Sequence, residues 1–234
     1  MPTTELGFFG QQFMIWVLIL IPGFEIFRYI QTRGKKAPRP YPFRHRRAVV
    51  GQVVFLVVTL LAAREERVSL LSGPFPSAIF CVLAVVTLAI MGLRLRHVRA
   101  NLSPLWLERA RLVLPDHPSQ IPWWVVISAM AGISEECAYR GLAMRFLTGN
   151  NGSFWLALSL CVLAFAVAHA IQGWRGILTT AVMALLMHAL VYATKSLYLA
   201  IMVHAVYDLM VGLIALPILC KFAKQQELKQ GVVV

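Results

Sequence analysis

The sequence predicts an all-α fold, a polytopic bundle of about seven transmembrane helices. Of the 234 residues, 59% are hydrophobic and only 14% are charged, which is too little polar surface to cover a water-soluble globule. The mean hydropathy of +0.72 agrees with this. Apolar runs close to the roughly 20 residues that cross a bilayer recur along nearly the whole chain, and in lipid such runs form helices.

The apolar runs are divided by turn signals and by short basic segments. Gly149 to Gly152 is a strong turn signal, and Lys195 with Ser196 forms a tight connection before the last span. Trp123 and Trp124 open the fourth span at the level of an aromatic belt. The seven predicted spans are Gly7–Ile30, Ala48–Ala63, Pro76–Leu93, Trp123–Leu147, Ser153–Ala170, Gly176–Ala193 and Leu197–Cys220.

The net charge of +12 comes from basic residues that gather in the short segments between spans. The positive-inside rule explains this distribution, whereas a nucleic-acid-binding protein would carry a folded basic face. We therefore expect no nucleic-acid partner, an N-terminus outside and a C-terminus inside. The expected domains are an N-terminal three-helix membrane region with basic cytoplasmic loops (1–120), a catalytic four-helix core (121–220) and a basic cytoplasmic tail (221–234).

Charged residues within the predicted spans indicate a functional site, because an ionised side chain in a bilayer is costly. Glu136 and Arg140 are four residues apart, so they share a helical face and can neutralise each other. Glu135 is rotated by about 100° from Glu136 and should point toward another helix, where it is a candidate general base.

The later spans add two more polar pairs. Phe165 and His169 share a face in the fifth predicted span, and His204 and Asp208 do so in the seventh. Two histidines and two carboxylates on three helices can converge. A Glu with a His can deprotonate water, and a second His with an acidic neighbour can stabilise an oxyanion, so we predict peptide hydrolysis.

A second interpretation of these residues is a metal site. Glu135, His169, His204 and Asp208 are residue types that bind a divalent metal such as zinc and leave a position open for water. The commonest zinc-protease motif, HExxH, is absent from the sequence. No cofactor is therefore certain.

Glu135-Glu136-x-x-x-Arg140, Phe165-x-x-x-His169 and His204-x-x-x-Asp208 resemble the three motifs of the CAAX protease and bacteriocin-processing (CPBP or Abi) family of intramembrane proteases. The resemblance covers about Trp123 to Leu219. It implies that Glu135 and His169 activate the hydrolytic water, that His204 and Asp208 stabilise the oxyanion, and that Glu136 and Arg140 brace the site. Members have been described both as metalloproteases and as glutamate-dependent proteases.

One residue departs from the eukaryotic relatives that trim prenylated CAAX proteins. Those relatives carry an asparagine where this chain has Asp208, and an ionised aspartate repels an oxyanion. In a metal-free mechanism Asp208 must therefore be protonated or must orient His204, whereas in a metal mechanism its charge is useful.

The expected function is an intramembrane endopeptidase of a prokaryotic cytoplasmic membrane, acting near a lipidated or C-terminal sorting-tail segment of a membrane protein or peptide. Two alternatives stay open. One is a non-catalytic bacteriocin-immunity or peptide-binding membrane protein, in which the polar cluster only joins helices. The other is a proton-coupled transporter, because buried Glu, His and Asp chains also relay protons.

Overall fold

The computed structural model describes residues 6–32, 43–100, 102–149 and 152–229. Helices dominate these ranges, which confirms the all-α prediction. The helices are α1 (Phe8–Ile15), α2 (Ile21–Thr32), α3 (Arg44–Glu65), α4 (Ala78–Ala100), α5 (Pro104–Ala110), α6 (Ile121–Glu135), α7 (Met144–Thr148), α8 (Phe154–Val167), α9 (Trp174–Thr194) and α10 (Tyr198–Lys229).

Four shorter segments connect these helices. Two are π-helical, Trp16–Leu20 between α1 and α2 and Glu136–Ala143 between α6 and α7. Two are 3-10 turns, Pro118–Gln120 before α6 and Ala170–Gln172 before α9.

Within the described ranges, four helical segments are long and apolar enough to cross a membrane. Many of their large apolar side chains are exposed on the outside of the protein, where lipid can solvate them. The chain is an integral membrane protein, and seven spans with the N-terminus outside stay a prediction. The four segments are Phe8–Thr32, Arg44–Glu65, Trp174–Thr194 and Tyr198–Leu228.

Several predicted spans differ from the observed helices in their bounds or their regularity. The fourth was expected as one helix to Leu147, but its helical hydrogen bonding changes to the π pattern at Glu136. The seventh was expected to end at Cys220, but α10 continues through Pro217 to Lys229. The basic loop was expected to continue to Arg47, but Arg44, Arg46 and Arg47 belong to α3, and residues 221–229 of the expected tail (221–234) belong to α10. Residues 33–42 of that loop and residues 230–234 of the tail lie outside the described residues.

The fifth predicted span is also shorter than expected, because α8 ends at Val167 and not at Ala170. The Nδ1 atom of His169 hydrogen-bonds the Phe165 carbonyl at 2.8 Å. In a continuing helix that carbonyl would accept from the backbone N–H of His169, which instead donates to the Ala166 carbonyl. Gly173 then takes a φ of +86°, a conformation that favours glycine, and α9 begins.

The candidate site lies where α6 packs between α3 and α10. Gly132 allows α6 to approach α10 closely, since a Cβ atom there would be 2.8 Å from the Ile201 carbonyl oxygen and 3.0 Å from the Ala205 Cβ atom. Farther along the same pair of helices, Trp124 donates from Nε1 to the Asp208 carbonyl at 3.0 Å. These contacts fix the spacing of the two helices that carry most of the site.

A group of ion pairs joins the beginning of α3 to the loop before α6. Asp116 accepts from Arg44 at 2.7 Å and from Arg111 at 2.9 Å, and its backbone N–H donates to Gln120. Burial alone would raise the pKa of Asp116, but the hydrogen bonds from both guanidinium groups lower it below its ordinary value. The loop therefore carries an ionised aspartate that ties the N-terminal region to the core.

Candidate active site

The π-helical segment Glu136–Ala143 carries the centre of the candidate site, and all eight of its residues are buried. A π turn is wider than an α turn and is frequent at functional sites. Glu136 and Arg140 remain on one face, with 3.3 Å between Glu136 Oε1 and Arg140 Nη1 and no solvent exposure of either side chain. The predicted neutralisation of these two charges is therefore present in the structure.

Arg140 also contacts two other helices. Its guanidinium lies 4.3 Å from the centroid of the Phe165 ring of α8, a cation–π distance. Its Nη2 atom donates to the Ala184 carbonyl of α9 at 3.4 Å. Arg140 thus joins three parts of the bundle around one buried carboxylate.

His204 of α10 is bonded directly to this pair. Its Nδ1 atom lies 2.7 Å from Glu136 Oε1. A carboxylate only accepts hydrogen bonds, so Nδ1 is assigned the hydrogen. The orientation of the ring is fixed, and the opposite nitrogen, Nε2, faces away from Glu136.

Two further carboxylates face His204 Nε2. Glu135 Oε2 is 3.8 Å away and Asp208 Oδ2 is 3.6 Å away. Both distances exceed an ordinary hydrogen bond and are short enough for a strong electrostatic interaction. The arrangement is therefore one imidazole surrounded by three carboxylates, only one of which it bonds directly.

Glu135 has one oxygen bound and one free. Its Oε1 atom accepts from Gln52 Nε2 of α3 at 2.8 Å. Its Oε2 atom is buried and has no hydrogen-bond partner among the described residues. Because buried polar atoms are nearly always hydrogen-bonded, a free carboxylate oxygen beside an imidazole is a position for a water molecule.

His169 contacts the Phe165 ring, and so does His204. The Phe165 ring centroid is 4.9 Å from that of His169 and 6.1 Å from that of His204. Among the described residues, no hydrogen bond or ion pair joins His169 to Glu135. The structure thus brings Glu135, Glu136, His204 and Asp208 together directly and connects His169 to them through the phenyl ring.

Sequence reasoning missed two residues at the site. Gln52 donates a hydrogen bond to Glu135, and the Ser134 hydroxyl donates to Gln52. The sequence did carry a signal for Gln52, because it is an isolated amide within the apolar run of the second predicted span. Such residues often hydrogen-bond to a neighbouring helix. His188 is buried on α9.

The metal interpretation of the site stays a prediction. In the part of the chain that the structure describes, no group of three or more His, Cys, Asp or Glu side chains is arranged to hold a metal ion. His204 Nδ1 is committed to Glu136, and His169 Nδ1 is committed to a backbone carbonyl. Of the four predicted ligands, only Glu135, His204 and Asp208 are close, at distances of 3.6 to 3.8 Å between their atoms.

The fold and the site define a class of protein, a helical membrane protein with a buried carboxylate–imidazole centre. Residues 117–210 match the family model described as Rce1-like, type II CAAX prenyl endopeptidase. This confirms the resemblance found from the three motifs, and the matched family is one of intramembrane endopeptidases. Neither the curated proteins nor the solved structures give a match.

Proposed function

We propose that this protein is an intramembrane endopeptidase that hydrolyses a peptide bond near the membrane-associated end of its substrate. The observation that carries the proposal is the free, buried Oε2 atom of Glu135, 3.8 Å from His204 Nε2. A carboxylate oxygen without a partner beside an imidazole is suited to hold and deprotonate a water molecule. The match of residues 117–210 to an endopeptidase family supports this chemistry.

In the proposed first step, the water is held between Glu135 and His204. Its oxygen attacks the carbonyl carbon of the scissile amide, and one of its protons passes to Glu135 Oε2. The electron pair of the carbonyl π bond moves to oxygen and gives a tetrahedral oxyanion. His204, with a hydrogen on Nε2 as well as on Nδ1, donates to that oxyanion and lowers the barrier.

In the second step, the oxyanion re-forms the carbonyl and the carbon–nitrogen bond breaks. Glu135 returns its proton to the departing amine, so the carboxylate is regenerated and one water has been consumed. Glu136 holds His204 in place through Nδ1 at 2.7 Å, as Arg140 neutralises Glu136. Asp208, 3.6 Å from Nε2, acts by orienting and stabilising the protonated ring, so that it need not contact the oxyanion.

His169 is proposed to assist at the same water. Its ring contacts Phe165, which also contacts His204. His169 follows the end of α8, so its position depends on a turn and less on regular helix packing. Replacing it with alanine should reduce turnover if it shares in water activation.

The proposed substrate is a lipidated or C-terminal sorting-tail segment of a membrane protein, cleaved within the bilayer of a prokaryotic cytoplasmic membrane. The description of the matched family, a prenyl endopeptidase, supports a substrate with a lipid-modified C-terminal region. Exposed apolar surface along the helices suits a substrate that arrives from the lipid.

The test uses the full-length protein in liposomes with a farnesylated CAAX peptide and with a transmembrane peptide carrying a C-terminal tail. Wild type should release a cleaved product from at least one of them. Glu135→Gln, which keeps the shape but removes the base, should lower kcat by about 100-fold or more. Glu227→Gln, at an exposed position near the end of α10, is the matched control and should be fully active.

Full activity of Glu135→Gln would overturn the mechanism. Binding of either peptide without cleavage by wild type would favour the peptide-binding alternative. Proton uptake without cleavage would favour a transporter. Cleavage by wild type that is lost in Glu135→Gln supports the endopeptidase.

A further inference from the structure

Gln52 is the one described residue outside the α6–α10 region that hydrogen-bonds the side chain of Glu135. It lies in α3, before the 117–210 segment that matches the endopeptidase family. The residues around it, from Val53 to Val58, are apolar and mostly face lipid or pack between helices. A primary amide at this position therefore has a specific partner across the helix interface and is not part of a polar surface.

The Glu135 carboxylate and the Ser134 hydroxyl together set which way the Gln52 amide points. The Ser134 hydroxyl donates to Gln52 Oε1, while Gln52 Nε2 donates to Glu135 Oε1 at 2.8 Å. The reversed amide would place its oxygen against the carboxylate oxygen, two acceptors facing each other. Ser134 is fully buried, so its hydroxyl is shielded from bulk solvent.

The bond from Gln52 determines which oxygen of Glu135 is free. With Oε1 held toward α3, the carboxylate plane is set and Oε2 is left facing His204 Nε2 at 3.8 Å. Without the amide donor, the carboxylate could rotate about its last side-chain bond, since that torsion is broad. The free oxygen would then no longer be aimed at one place.

We propose that Gln52 is a positioning residue that orients Glu135 for water activation, through a hydrogen-bonded chain Ser134–Gln52–Glu135. The inference rests on the proposed function, because it needs Glu135 to be the base. It assigns a role at the site to the N-terminal helical region, which the family match does not include. Gln52 itself touches neither the water nor the substrate.

This role predicts a specific kinetic signature. Removing the amide misplaces the base and leaves the substrate contacts intact, so kcat falls and KM stays the same. A misplacement of about 1 Å in a reacting group can lower the rate about 100-fold, so a fall in kcat of about 10- to 100-fold is expected. A residue that only joined α3 to α6 would change thermal stability and leave kcat of the folded protein unaltered.

The experiment measures kcat, KM and thermal unfolding for Gln52→Met, Gln52→Glu and Ser134→Ala in the liposome assay with the farnesylated CAAX peptide. Gln52→Met keeps the length of the side chain without its amide. Gln52→Glu keeps an acceptor for Ser134 but can donate to Glu135 only while protonated, so in an assay at a pH where both carboxyls are ionised it should lose as much activity as Gln52→Met. Thr59→Val is the control, because Thr59 is buried in the same helix. Among the described residues, its hydroxyl donates to the Phe55 carbonyl of that helix and to no group of the site.

Ser134→Ala should also lower kcat, by a smaller factor than Gln52→Met. Because Ser134 acts through Gln52, the double variant should have the same kcat as Gln52→Met alone. Wild-type kcat in a folded Gln52→Met or Gln52→Glu protein would overturn the inference, and so would losses that multiply in the double variant. If Gln52→Met does not fold, Ser134→Ala decides, because an unchanged kcat there contradicts the chain. If the Glu135→Gln protein is active, the proposed function itself is overturned. If Glu135→Gln is inactive while Gln52→Met is fully active, only the role of Gln52 is overturned.

Discussion

Glu135 and Glu136 are neighbours in sequence and differ in the partners of their Oε1 atoms, while the Oε2 atom of each is buried without a hydrogen-bond partner among the described residues. Glu136 is fully buried and is engaged by Arg140 and His204. Glu135 shares one oxygen with Gln52 and keeps the other free. Adjacent carboxylates that differ in this way can take different tasks, one structural and one chemical.

The first prediction separates these two tasks. Glu136→Gln should unfold at a markedly lower temperature, because removing one charge of a buried ion pair typically costs about 3–5 kcal/mol. Glu135→Gln should unfold close to wild type while losing turnover. Thermal unfolding in detergent micelles measures both, with Glu227→Gln as the reference. Equal stability of Glu136→Gln and wild type would contradict the bracing role of the pair.

The second prediction concerns metal ions. Because the proposed mechanism uses Glu135 as the base and His204 as the oxyanion donor, activity should persist when the protein is treated with a chelator and assayed in chelated buffer. The measurement is the rate of peptide cleavage together with the metal content of the purified protein. Loss of activity that is restored by added zinc would contradict this expectation and revive the metal interpretation.

At the scale of elements, the site depends on close packing of α6 against α10. Glu136 and His204 belong to these two parts of the chain, and their 2.7 Å bond requires the helices to stay in register. Gly132 lies one turn before Glu136 and faces Ile201 and Ala205 of α10. The contact at Gly132 therefore controls the spacing at the site.

The third prediction tests that spacing. Gly132→Ala adds a Cβ atom 2.8 Å from the Ile201 carbonyl oxygen, so the helices must separate. Overpacking of this kind costs about 1–3 kcal/mol, and the shift should also lower kcat. Gly23→Ala is the matched control, since its added Cβ atom meets nothing within 4 Å. If Gly132→Ala has wild-type stability and activity, the close approach of α6 and α10 at Gly132 is not required for the site.

Sequence patterns predicted the existence of these elements better than their ends. Hydrophobic runs of membrane length indicated α3, α9 and α10, because length and apolarity decide spanning helices. They could not indicate the π segment at Glu136, which depends on how buried charges are satisfied by other helices. The end of α8 was missed for a related reason, since His169 itself takes the carbonyl that would have continued the helix.

At the scale of the whole molecule, the N-terminal region and the family-matched region form one interconnected structure. Gln52 connects α3 to Glu135, and Arg44, at the beginning of α3, connects that helix to Asp116. The motifs predicted that Glu135, His169, His204 and Asp208 converge with Glu136, Arg140 and Phe165 beside them, since a spacing of four residues places side chains on one helical face. Of these residues, His169 reaches the others only through the Phe165 ring. The motifs could not predict Gln52, because a contact between distant helices leaves no periodic signal.

The fourth prediction concerns the ion pairs of Asp116. Its pKa is lowered from the ordinary value of 3.8, so its contribution to stability is present above that pH and is lost as the pH falls through the lower folded-state pKa. Asp116→Asn should therefore unfold at a lower temperature than wild type near neutral pH. The difference between the two proteins should shrink as the pH falls below 3.8. A difference that is constant with pH would show that the charge of Asp116 does not contribute.

The Gln52 contact also bears on how the chain enters the membrane. Gln52 precedes Glu135 by 83 residues, so during synthesis the amide reaches the bilayer before the carboxylate that it will hold. His204 follows Glu136 by 68 residues and arrives last. The hydrogen-bond donor of Glu135 is therefore synthesised before Glu135 itself. Glu136 has only Arg140 of its own segment as an ion-pair partner until α10, which carries His204, has been inserted.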